Sequence, residues 1–220
     1  MTSTSVNPAE SGVEPISVIV VSDFVCPWCY VGLTEVERLE REYPVQVSWA
    51  PYLLDPSVPP EGRVTEPRQQ PGDPLSPVEQ RALEAGLHFA RGRTFRPNSH
   101  LALEAGLYAQ EQEFERAEEL HHALYRAHFE TLEDIGNLEV LVRLGAEAGM
   151  DAEALRAALT SRQYEAAVDE EIALMRQIGV TAVPTIIFNQ QYAIVGAQPY
   201  EAFQQMMSQL GYPPPAATAR

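Results

Sequence analysis

A chain of 220 residues, 45% hydrophobic and 21% charged, is long enough for one domain with a large insertion or for two small domains. Its 31 acidic residues outweigh 15 basic ones, all arginine, and the net charge of −16 argues against nucleic acid or an anionic membrane as main partner, since both need clustered cations. No apolar run reaches the ~18 residues of a spanning helix. Met1 to Glu14 lacks the basic start and apolar stretch of a secretory signal, so the expected location is cytoplasmic.

Residues 1–14 and 213–220 read as flexible ends. Ile16 to Val21 is a nearly continuous β-branched run, the pattern of a strand buried on both faces. Leu33, Val36, Leu39 and Tyr43 then recur at helical spacing, and Pro44 ends that helix. Val45, Val47 and Trp49 alternate with polar residues, which predicts a second strand. Asp55 to Pro77 holds seven prolines and two glycines and is expected to be an extended loop. From Val78 to Met175 the pattern is helical almost throughout, with Asn98 and Asn137 as expected N-caps and Gly149-Met150-Asp151 as a stop and restart. Leu83-Glu84-Ala85-Gly86-Leu87 and Leu103-Glu104-Ala105-Gly106-Leu107 read as two small-residue packing faces. Thr185 to Phe188 and Tyr192 to Val195 form an expected hairpin around Asn189-Gln190-Gln191, and Pro199 to Leu210 a last amphipathic helix. The fold class is therefore α/β interrupted by a large all-α insertion.

The chemistry sits at Cys26-Pro27-Trp28-Cys29, which carries the chain's two cysteines. A disulfide closing so short a loop adds little stability, and structural zinc needs two further ligands that no second Cys-x-x-Cys supplies. A redox pair remains. Cys26 lies where a buried strand hands over to a helix, and the unpaired N–H groups of a helix start favour its thiolate, the attacking species in disulfide exchange. Cys29, one turn on, is the resolving thiol. Pro27 suits the first helical turn. Trp28 is expected either to tune the redox poise and touch substrate or simply to pack. Glu35 and Glu37, just after the dithiol, are candidates to relay a proton to Cys29, although surface placement on the helix suits them better. His121, His122 and His128 share one predicted helix without a tight ligand set, and no metal is expected.

Ser22-Asp23-Phe24-Val25-Cys26-Pro27-Trp28-Cys29-Tyr30-Val31-Gly32 resembles the active-site segment of the DsbA-like thioredoxin superfamily, in its FrnE-like branch. Trp49 to Pro56, Phe95 to Ser99, His128 to Gly136 and Gly179 to Thr185 resemble further segments of that branch, so the likeness runs over residues 16–210. It implies a thioredoxin-like domain from 15–58 and 177–212, a helical insertion over 74–176, and a cis Val183–Pro184 bond beside the dithiol. That turn would leave the Val183 backbone free to pair with an extended substrate. Relatives carry histidine five residues after the asparagine of the Phe95–Ser99 segment, where this chain has Leu103.

The implied activity is thiol–disulfide exchange on protein or peptide disulfides, without a cofactor beyond the dithiol, glutathione being a candidate co-substrate. Two alternatives stay open. One is a glutathione-binding isomerase or transferase of the same superfamily, whose members generally have serine where Cys26 stands. The other is a non-enzymatic partner-binding module. Oligomeric state is left open.

Overall fold

The computed structural model describes residues 15–214; the expected flexible ends lie outside that range apart from Pro213 and Pro214. Strand β1 (Ile16–Ser22) forms from the β-branched run, and Val18, Val20 and Val21 are buried. Helix α1 (Pro27–Glu42) carries the chain back, so that β2 (Val45–Pro51) lies parallel to β1 from Ile16↔Val45 to Ser22↔Pro51. Parallel neighbours need such a crossover. Pro44 follows the helix end as expected.

On the other side of β1 lies β5 (Thr185–Phe188), antiparallel, with Val21 opposite Thr185. β6 (Tyr192–Val195) closes the hairpin through Asn189 and Gln190, both at positive φ. The sheet order is β2-β1-β5-β6. This register has one consequence for function. The end of β1 and the start of β5 meet, so the segments just outside them, 23–26 and 181–184, emerge side by side.

Strand β2 is an edge, and its exposed pairing groups need cover. The Gln110 carboxamide supplies it, accepting from Trp49 N at 2.7 Å and donating to Trp49 O at 3.2 Å. Helix α8 (Tyr200–Gln209) covers one sheet face, burying Tyr200, Phe203 and Met207 with Val18, Ile186 and Phe188.

The other buried cluster joins Val21, Phe24 and Tyr30 to α3 (His100–Gln112) and α4 (Phe114–Phe129), with α5 (Leu138–Glu147), α6 (Ala152–Thr160) and α7 (Glu165–Gln177) behind them. Asn137 Oδ1 accepts from Glu139 N at 2.9 Å, and Asp151 Oδ1 from Glu153 N and Ala154 N at 3.0 Å, the expected caps. Asn98 stands one residue too early. Ser99 occupies the cap position, although Asn98 Oδ1 still accepts from His100 N at 2.9 Å.

Three expectations need correction. The helical pattern breaks after α2 (Pro77–Glu84), and residues 85–99 contain no helix. Gly86 and Gly92 take φ of 79° and 86° there, and Pro97 cannot donate to a helix. Next, the proline-rich loop is not wholly irregular, because β3 (Arg63–Val64) pairs with β4 (Phe95–Arg96) in the gap between Pro60 and Pro67. The adjoining Gly62 has φ 76°, and a Cβ there would lie 2.2 Å from the Phe95 ring, so only glycine fits. Finally, of the two small-residue faces only Gly106 packs, with a Cβ position 3.2 Å from Phe24, while Gly86 meets nothing within 4 Å. Among the described residues no helix is long and apolar enough to cross a membrane.

Candidate active site

Beyond Ser22 the chain turns, with Cys26 N donating to Asp23 O at 3.0 Å, and Cys26 becomes the N-cap of α1 with Pro27 in its first turn. Cys29 N donates to Cys26 Sγ at 3.3 Å. A sulfur capping a helix start receives one of the orphan N–H groups and faces the positive end of the dipole, so negative charge on it is stabilised there. Both thiols are unpaired by any disulfide. The Val183–Pro184 peptide is cis, and the Cys26 thiol donates to Val183 O at 3.5 Å across 157 residues of sequence. Gly196 N, bonded to Pro184 O at 2.7 Å, anchors that loop from β6. Gly32 lets α1 come close, since a Cβ there would sit 3.3 Å from Pro184 Cγ.

The structure thus gathers Cys26, Pro27, Trp28, Cys29, Val183 and Pro184 at one end of the sheet. Two details differ from expectation. Cys26 and Cys29 are only 3% and 2% exposed, whereas Trp28 between them is 36% exposed. Trp28 is therefore a surface contact rather than a core side chain. The Val183 carbonyl is not free, because the Cys26 thiol occupies it.

Burial pushes the Cys29 thiol well up, and the neighbouring Cys26 adds to this against a hydrogen bond with the Asp23 backbone. Cys29 accordingly stays protonated until something takes its proton. The carboxylate near it is Asp23, fully buried, which accepts from Leu54 N at 2.8 Å and Val25 N at 3.2 Å. Burial raises it to about 6 against those bonds and one from Ser99. In the sequence only its place directly after a buried strand marks Asp23. Glu35 and Glu37 point elsewhere, Glu35 lying 3.8 Å from Arg81 and Glu37 2.7 Å from His122.

His121 is buried edge-on against Phe24 and Trp49, and burial pushes it down to about 3. Glu37, Glu118 and His122 bring three ligand-type atoms within 4.8 Å of one another. That grouping bridges α1 and α4, which spacing along α4 alone does not reveal. Within it His122 Nε2 lies 2.7 Å from Glu37 Oε1, and that hydrogen bond shifts the imidazole upward.

A family model for the DSBA-like thioredoxin domain matches residues 17–208. The chain is 28% identical over 197 residues to the uncharacterized protein YwbO of Bacillus subtilis (strain 168), covering 88% of this chain and 96% of that one. Among solved structures it is similar to SCO1869 of Streptomyces coelicolor, described as a probable DsbA oxidoreductase, with TM-score 0.76, 28% identity, and coverage of 93% and 94% of the two chains. It shares the fold of the cytosolic disulfide reductase DsbM of Pseudomonas aeruginosa, solved with GSH, at TM-score 0.60 and 20% identity over 88% of this chain and 99% of that one. A helix-capping dithiol beside a cis-proline loop, on a chain matched almost end to end, belongs to the DSBA-like thioredoxin domain family of thiol–disulfide oxidoreductases.

Proposed function

We propose that this protein exchanges its Cys26–Cys29 dithiol with disulfides in proteins or peptides. The observation that carries the reading is Cys26 Sγ at the tip of α1, bonded by Cys29 N–H and covered by the Val183–Pro184 loop. An extended substrate segment docks its N–H on the Val183 carbonyl, displacing the Cys26 thiol from it. The displaced Cys26 thiol gives its proton to water, and its thiolate attacks one substrate sulfur, forming a mixed disulfide as the other leaves as thiolate and takes up a proton. Asp23 accepts the proton of Cys29, whose thiolate attacks Cys26 Sγ and releases the second substrate thiol. Two electrons pass to the substrate, and the Cys26–Cys29 disulfide formed is reduced again by a small thiol or dithiol such as glutathione.

In a reducing cytosol this direction, reduction of oxidised proteins, outweighs net disulfide formation. An isomerase without redox turnover has less support, since a complete dithiol occupies the site. The test is turbidimetric reduction of insulin with dithiothreitol as terminal reductant. The protein is expected to shorten the lag well below that of dithiothreitol alone; an unchanged lag at micromolar protein would refute the reading.

A further inference from the structure

A cleft of about 540 Å³ opens directly beside the dithiol, with Val25 and Pro27 in one wall. That volume lies within the range of small-ligand sites. Phe89 also lines it and stacks on Tyr30, the residue after Cys29, and on Phe129. Four arginines line it, Arg68, Arg91, Arg93 and Arg96, against three carboxylates, Asp55, Glu66 and Glu79, in a chain whose acids otherwise outnumber its bases.

Most of that charge is already spoken for or lies in solvent. Arg91 is held by Glu79 at 2.7 Å, Arg96 by Asp55 at 2.8 Å, and Arg68 is exposed. Arg93 is different. It is half-buried, donates to the His128 carbonyl, and pairs with no carboxylate among the described residues. Burial alone pushes it down to about 10. A desolvated cation without a counter-charge is costly to keep. Two residues that line the same cleft each carry a polar atom buried without a partner, His128 Nδ1 and Gln69 Oε1, and His128 is only 4% exposed. Burial, with Arg93 beside it, keeps that imidazole uncharged.

Arg93 offers charged N–H donors, His128 Nδ1 can donate in one tautomer, and Gln69 Oε1 accepts. A carboxylate with a neighbouring peptide N–H satisfies all three. We propose that Arg93, His128 and Gln69 form a carboxylate-binding subsite that selects disulfides in anionic peptide segments and holds them beside Cys26. This rests on the dithiol reading above and adds the substrate class. The carboxylate comes either from an acidic side chain or from a chain end.

The test is single-turnover oxidation of the reduced protein by three symmetric peptide disulfides, followed by acid quench and thiol alkylation. In each, the dithiol becomes a disulfide and one peptide disulfide becomes two thiols, so no further reductant enters. The peptides are Ac-Glu-Cys-Ala-NH2, Ac-Ala-Cys-Ala with a free C-terminal carboxylate, and neutral Ac-Ala-Cys-Ala-NH2. At least one carboxylate peptide is expected to react about tenfold faster than the neutral one, the size of a charge-assisted hydrogen bond, despite the opposing net charge. Which one gains identifies the source of the carboxylate. Arg93→Gln is expected to remove that preference, Arg93→Lys to keep part of it, and Arg156→Gln, an equal charge change on another face, to keep it whole. Equal rates for all three peptides, or equal loss in R93Q and R156Q, overturns the subsite. If none of the three oxidises the dithiol, the oxidoreductase reading itself fails.

Discussion

Cys26→Ser is expected to lower disulfide reduction by about a thousandfold or more, because a serine hydroxyl is not ionised near neutral pH and cannot attack a disulfide sulfur. The geometry makes this loss specific to one of the two sulfurs. Cys26 caps α1 and receives the Cys29 N–H, whereas burial together with the Cys26 sulfur beside it holds Cys29 protonated. Cys29→Ser therefore has a different expected outcome. The first exchange proceeds, the substrate stays attached to Cys26, and the mixed disulfide is seen by mass spectrometry of the intact protein until external thiol is added. If Cys29→Ser reduced insulin as fast as the natural chain, or if Cys26→Ser gave the trapped species, the assignment of roles would be reversed or wrong.

Asp23→Asn is expected to change both stability and the resolving step. The folded carboxyl titrates at about 6, above its ordinary 3.8, because burial disfavours its charge. A raised folded value means the native state binds the proton more tightly. The contribution is fully present below 3.8 and is lost as pH rises through about 6. Between pH 4 and 7 the natural chain should thus lose about 2 kcal/mol relative to D23N. Only this change with pH is diagnostic. The amide offers a single acceptor to the N–H groups of Leu54 and Val25, and that loss is constant across the range. Urea denaturation at each pH measures it, and a flat difference between the two proteins would contradict the buried-acid description.

In the same variant the mixed disulfide should persist about 100-fold longer, the scale of general-base assistance. In the natural chain its resolution should accelerate as pH rises through about 6, where Asp23 becomes the base.

What could be read from the sequence was what neighbours in the chain decide. The β-branched run of β1, the helical spacing of Leu33, Val36 and Leu39, and the caps at Asn137 and Asp151 are local and were legible. So was the dithiol at a strand-to-helix handover. The position of Val183–Pro184 came from family likeness, and the structure places it through the Val21↔Thr185 register. Other features depend on segments distant in the chain. Asp23 is buried because Leu54 and Ser99 close over it, and no pattern around residue 23 states that. The β3–β4 pair is two residues long on each side, too short to show a period. The cleft draws Pro27, Gln69, Arg93 and His128 from four separate stretches. Glu37 and His122 likewise meet only because α1 and α4 pack.

The most direct measurement is a competition between the two sulfurs for a small alkylating agent. Fully reduced protein at neutral pH receives iodoacetamide below one equivalent, and the labelled peptide is mapped. Label on Cys26 with Cys29 still free is the predicted result. Preferential label on Cys29, or no label on either until the protein is unfolded, would show that the sulfur at the helix tip is not the reactive one.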